Sequence, residues 1–105
     1  MASLIQKVIK SAQELLHKRS PKWKAVRARH LQQEDWCRAC GGRNFLEAHH
    51  VVPFHVDRSR ELDPTNLITL CTDSRTECHI HSGHLGSWRK FNPNVRKDAT
   101  LPRPR

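Results

Sequence analysis

His49 and His50, Asn66, and then His79 and His84 stand among four cysteines, Cys37, Cys40, Cys71 and Cys78. A neutral imidazole nitrogen can ligate a metal ion, and a free imidazole can take a proton from water near neutral pH. A divalent ion beside such a base is a minimal kit for hydrolysing phosphate esters. The cysteines suit a different metal. Cys37 and Cys40, followed by Gly41 and Gly42, offer two thiolates from one tight turn. With Cys71 and Cys78 they make a four-coordinate structural zinc site, with no open position for chemistry. A second, catalytic ion is expected at the imidazoles, completed by water and substrate. Such ligands suit Mn²⁺, Co²⁺, Ni²⁺ or Zn²⁺ at least as well as Mg²⁺, which prefers oxygen.

Several elements must bring these groups together. Phe45 to His50 alternates well enough for a short strand, and Leu67 to Leu70 makes a second. Between them lies a loop of about 14 residues carrying Pro53 and Pro64, long enough to suggest function. Neighbours on a strand face opposite sides, so His49 and His50 are expected to do different jobs. From about Glu77 a helix is expected to run to near Lys90, interrupted or bent around Gly83 and Gly86. On an α-helix His84 lies about 140° around from His79, so both reach one ion only if the helix bends near Gly83. Upstream, Ser3 and Gln6 form a capping-box pattern for a helix whose apolar face runs from Leu4 to Leu16. That face suits core packing, self-association or a protein partner. Ser20-Pro21 reads as a second helix start, with Trp23, Val26, His30 and Leu31 on one side. Lys22, Lys24, Arg27 and Arg29 point largely elsewhere and are candidate phosphate contacts, as are Arg89 and Lys90 further on. His81 could touch a phosphate or merely lie on the surface, His55 reads as solvated or phosphate-facing, and His17 and His30 need no chemical role. The stretch from 93 to 105 has little apolar content and is expected to be mobile.

At 105 residues the chain is one small domain, near the size where a hydrophobic core alone is marginal and a metal helps. Its formal charge of +9 is unevenly spread. Residues 1–31 hold eight basic and one acidic side chain, residues 32–85 five and eight, and residues 86–105 six and one. A mildly acidic centre favours a cation and basic flanks favour a polyanion, which points to DNA as partner. The first apolar stretch is broken by Gln6, Lys7 and Lys10, so neither a signal peptide nor a membrane span is expected. Cysteines paired among histidines then read as metal ligands in a reducing cytoplasm rather than as disulfides.

Taken in order, Cys37-x-x-Cys40-Gly41, His49-His50, Leu62-Asp63-Pro64-x-Asn66-Leu67, Leu70-Cys71 and Cys78-His79 resemble the HNH endonuclease family, the ββα-metal or His-Me finger nucleases, over about residues 36 to 92. Gly83-His84-Leu85 and the stretch from Trp88 to Pro93 are similar to small phage- and bacterium-borne members. The resemblance implies an α+β fold: a zinc-stabilised ββα-metal core (36–92) with a basic N-terminal helical arm (1–35) and a basic tail (93–105). It implies DNA cleavage leaving 5′-phosphate and 3′-hydroxyl ends, in the cytoplasm of a bacterial host if the protein is phage-encoded. By the same resemblance His50 is the general base and His49 a metal ligand. His79, directly after the last cysteine, is preferred to His84 as the second ligand. Asn66 would fix the loop and the base, or approach the metal. One departure is clear: relatives space their last two cysteines two residues apart, whereas six residues separate Cys71 from Cys78. Two other readings stand beside the nuclease: a zinc-stabilised nucleic-acid-binding module without catalysis, and a nuclease subunit of a phage packaging or restriction assembly docked through the Leu4–Leu16 helix.

Overall fold

The computed structural model describes residues 19–104; the Leu4–Leu16 helix and His17 lie outside them. Two strands form the centre. Strand β1 (Leu46–His50) pairs antiparallel with β2 (Leu67–Cys71), with His49 opposite Ile68 and His50 opposite Leu67. Every residue of β2 is buried, which fits its near-continuous apolar run Leu-Ile-Thr-Leu-Cys.

The one polar member, Thr69, is fully satisfied by helix α1 (Trp23–Gln33) and the turn after it. Its N–H donates to Glu34 Oε1 at 2.8 Å, its hydroxyl donates to the Glu34 carbonyl at 2.8 Å, and its carbonyl accepts from the Arg38 N–H at 2.9 Å. These bonds also occupy the outer edge of β2, which would otherwise present unpaired backbone groups. With its hydroxyl proton so used, Thr69 can only accept from His30 Nε2, 3.0 Å away. The expected helix stripe is thus seated on the sheet. Formally the helix begins at Trp23 rather than at Pro21, while Ser20 Oγ accepts from the Lys22 N–H at 3.2 Å.

The loop between the strands carries two 3₁₀ turns, Arg58–Arg60 and Pro64–Asn66, each opened by an aspartate whose carboxylate accepts a backbone N–H two residues on. After β2 the chain does not make the helix expected from Glu77 to Lys90. It makes a single π turn, His79–Gly83, and leaves it through left-handed backbone at Leu85 and Gly86. The expectation of a mobile tail is also corrected. Helix α2 (Val95–Asp98) inserts Val95, and Ala99 follows it into the core beside Ile68, Leu70, Cys37, Cys71 and Cys78. Beyond it the Leu101 N–H donates to the Arg38 carbonyl at 2.9 Å, and Trp36 Nε1 donates to the Leu101 carbonyl at 2.9 Å. Two small apolar residues and a few hydrogen bonds to the backbone hold this segment, a pattern that overall hydrophobicity does not reveal. Among the described residues no helix is long and apolar enough to cross a membrane. The architecture is α+β, a ββα-metal core in which the final helical member is a single π turn.

Candidate metal centre and catalytic cleft

The Sγ atoms of Cys37, Cys40, Cys71 and Cys78 all lie within 4.8 Å of one another. Cys40 and Cys71 are 3.7 Å apart, far beyond the roughly 2.05 Å of a disulfide. The separation matches the tetrahedron edge of about 3.8 Å that a zinc–sulfur bond of about 2.3 Å implies. The long connection from Thr72 to Glu77 does not dislodge the fourth cysteine. Asp73 organises it as a turn, its carbonyl accepting the N–H groups of Thr76 and Glu77, and positive φ at Glu77 turns the chain back so that Cys78 rejoins the cluster. The same loop supplies Thr76, whose hydroxyl lies 3.1 Å from Cys71 Sγ. Burial pushes the Cys71 thiol up, but hydrogen bonds from Thr76 and from the Cys78 and Asp73 backbone outweigh it and bring its pKa to about 6. Burial raises the Cys37 and Cys78 thiols.

One residue after Cys78, His79 opens the second cluster. His49, His79 and His84 each offer a ring nitrogen within 4.8 Å of the others. The π turn resolves the competition expected between His79 and His84. Its i to i+5 hydrogen bonding widens the turn, so residues five apart diverge far less than on an α-helix. No bend at Gly83 is needed. Gly83 matters for a steric reason instead. A Cβ there would stand 3.0 Å from His49 Cε1 and Nδ1 and from Leu70 Cδ1, so only glycine lets the turn close over the His49 ring.

His49 Nδ1 and His79 Nε2 are 3.1 Å apart. Two nitrogens bound at about 2.1 Å to one ion, at octahedral to tetrahedral angles, stand about 2.9 to 3.4 Å apart. His84 Nδ1 donates to the Lys90 carbonyl at 2.7 Å, fixing the tautomer that leaves Nε2 as the electron-pair donor, the usual arrangement behind a ligating histidine. Burial first, then the neighbouring imidazoles, lowers His49 to a pKa of about 3, and burial followed by His84 lowers His79 to about 4. Both rings are therefore neutral at physiological pH and ready to bind a cation. The donor set fits a divalent transition ion.

His50 faces the other way from its neighbour. Its Nε2 donates to the Glu61 carbonyl at 2.9 Å, and Trp23 packs on its ring with centroids 4.5 Å apart. A carbonyl can only accept, so the proton sits on Nε2 and Nδ1 carries the lone pair. Burial, partly offset by the Glu61 hydrogen bond, holds His50 below the usual histidine value. Asn66, wholly buried, makes all its side-chain bonds to loop backbone: Oδ1 accepts from the Val52 N–H, and Nδ2 donates to the carbonyls of Val52 and Arg60. It thereby holds the segment that ends in the Glu61 carbonyl.

His49, His50, His79 and His84 line one cleft of about 490 Å³, together with Arg27 and Lys90. Arg27 pairs with Glu47 at 2.8 Å. Lys22, Lys24, Arg29 and Arg89 are exposed outside it, as is His81, while His55 lies on the cleft wall. Sequence reasoning passed over Trp23 as a partner of His50, the Glu61 and Lys90 carbonyls, and Thr76. Backbone acceptors leave no mark in residue type, whereas Trp23 carried a signal in its position on the inward stripe of its helix.

Residues 37–85 match the family model of the HNH endonuclease. No curated protein and no solved structure matches the chain. The matched segment begins at the first cysteine of the thiol cluster and includes all three converging imidazoles, the buried asparagine and His50. Residues 37–85 therefore carry an HNH domain, whose family is one of metal-dependent nucleases.

Proposed function

We propose that this chain is a metal-dependent DNA endonuclease that hydrolyses phosphodiester bonds one strand at a time, with structural zinc at the four cysteines. The reading rests on one juxtaposition: three imidazoles converge on a cleft that also contains His50, held in a single tautomer. His49, His79 and His84 would hold the catalytic ion. When bound, such an ion stabilises the charge that develops on phosphorus and on the departing 3′ oxygen. His50 Nδ1 takes the proton of the attacking water, while the Glu61 carbonyl and the Trp23 ring keep the imidazole in place. Asn66 is a positioning residue that acts through the loop. Arg27 and Lys90 bind phosphate inside the cleft, and Lys22, Lys24, Arg29 and Arg89 track the strand outside it. The products are 5′-phosphate and 3′-hydroxyl ends, as in the family it resembles.

Supercoiled plasmid incubated with the zinc-loaded protein and Mg²⁺, Mn²⁺, Co²⁺, Ni²⁺ or Zn²⁺ tests the assignment. His50→Ala should keep its fold and zinc content and lose cleavage by about 10²- to 10⁴-fold, with little recovery on adding metal. His49→Ala, His79→Ala and His84→Ala should instead recover part of their activity as Mn²⁺ is raised. Full activity in a folded His50→Ala protein would sink the catalytic role, and DNA binding without cleavage under any ion would leave a non-catalytic nucleic-acid-binding module.

A further inference from the structure

Trp88 has no part in the chemistry proposed above, yet it stands beside it. Its ring centroid lies 5.1 Å from that of His79 and 4.8 Å from that of His84, and the residue is 60 % exposed. Leaving an indole largely in water forgoes the stabilisation that burying so large an apolar side chain would give. Trp36 shows the alternative in the same chain: its Nε1 donates to the Leu101 carbonyl. Trp88 is presented instead, on a defined turn. The Ser87 N–H donates to the His84 carbonyl at 3.0 Å and the Lys90 N–H to the Ser87 carbonyl at 2.9 Å, so the indole is carried by the same short segment that fixes His84. It lines the catalytic cleft with Lys90. An exposed aromatic face beside a cation is what a nucleobase and its phosphate require together.

We infer that Trp88 is a stacking platform for a nucleobase next to the scissile phosphate, and that the substrate is DNA in which that base is unpaired, as in a single strand, a flap or a locally opened duplex. This rests on the nuclease reading above and narrows its substrate class. The reason is geometric. In intact duplex both faces of a base are covered by its neighbours, so an indole can engage one only after it leaves the stack. Because Trp88 touches two of the converging imidazoles, a base on it belongs to a nucleotide whose phosphate lies at or beside the ion. The alternative is that the indole only shields the ligand rings. Shielding would affect every substrate alike, whereas stacking needs a base.

Fluorescence anisotropy decides between them, using labelled oligothymidylate and an abasic tetrahydrofuran oligomer of the same length. The protein is zinc-loaded, without added catalytic metal. Wild type should bind oligothymidylate about 5- to 100-fold more tightly than the abasic strand. Trp88→Ala should remove most of that difference and leave abasic binding unchanged, and Trp88→Phe should keep part of it. Equal binding of the two strands by wild type, or equal weakening of both by Trp88→Ala, overturns the inference. Cleavage of supercoiled plasmid by wild type is scored separately. Cutting without base-dependent binding removes the platform and spares the nuclease, and base-dependent binding without cutting does the reverse.

Discussion

The carbonyl of Glu61 selects which nitrogen of His50 can act, and the carbonyl of Lys90 does the same for His84. Two rings of one chemical type are thus held by backbone acceptors in opposite tautomers, leaving Nδ1 free on His50 and Nε2 free on His84. Because burial lowers His50, cleavage should persist somewhat below the ordinary histidine value of about 6.5 before it fails. The clustered rings carry a stability consequence as well. His79, at about 4 in the fold and about 6.5 unfolded, binds fewer protons folded than unfolded between those values. Its contribution is therefore complete above about 6.5 and is lost as pH falls toward 4. Denaturant unfolding of wild type without the catalytic ion should thus lose stability faster between about pH 6 and 5 than His79→Gln, by about 1.4 kcal/mol per pH unit at most. Parallel pH curves would show that His79 is not held neutral by the fold. Gly83→Ala tests a steric rather than an ionic constraint. Its added Cβ, 3.0 Å from the His49 ring, should force that ring aside and cost about 1–3 kcal/mol. The same displacement should weaken Mn²⁺ binding in a calorimetric titration, and unchanged affinity would mean the turn opens freely.

At the scale of elements, the π turn is the feature that gathers both His79 and His84 beside His49, and Asn92 secures it. The buried Asn92 donates from Nδ2 to the Ser82 carbonyl at 2.9 Å and to Asp98 Oδ2 at 2.7 Å, and its N–H donates to the Gly83 carbonyl at 2.9 Å. It ties the turn to α2. Asn92→Ala should therefore lower stability by about 1–3 kcal/mol, the cost of orphaning buried acceptors. It should also weaken the imidazole site while leaving zinc at the cysteines, as measured by metal analysis and by Mn²⁺ titration; a variant that loses both metals together would point to general unfolding instead. The two strands were legible because alternation and an apolar run mark them directly. The cysteine cluster was legible from composition, since cysteines paired among histidines at short spacing are the mark of a metal site. The π turn was not, because His-Ile-His-Ser-Gly-His has the look of an ordinary helix, and the close approach of Gly83 to His49 joins residues thirty-four apart in sequence. Nor was α2, whose anchorage rests on Val95, Ala99 and backbone bonds to Arg38.

For the whole molecule, the packed tail changes how its charge can be probed. Removing residues 94–105 would take Val95 and Ala99 out of the core and confound binding with unfolding, so charges are better neutralised in place. If about five basic side chains contact phosphates, the log–log dependence of DNA affinity on salt should have a slope on the order of −4 to −5. Exchanging Lys22, Lys24 and Arg29 for glutamine should flatten that slope by up to about 3 with little effect on turnover. An unchanged slope would show that these groups only face solvent. Finally, Cys78 and His79 are consecutive, one turned to the thiolate cluster and the other to the imidazole cluster. A single peptide bond thus joins two clusters of different chemistry, so any coupling between the ions they hold must be reciprocal. By whatever factor bound zinc tightens the grip of the imidazoles on their ion, that ion must tighten the retention of zinc.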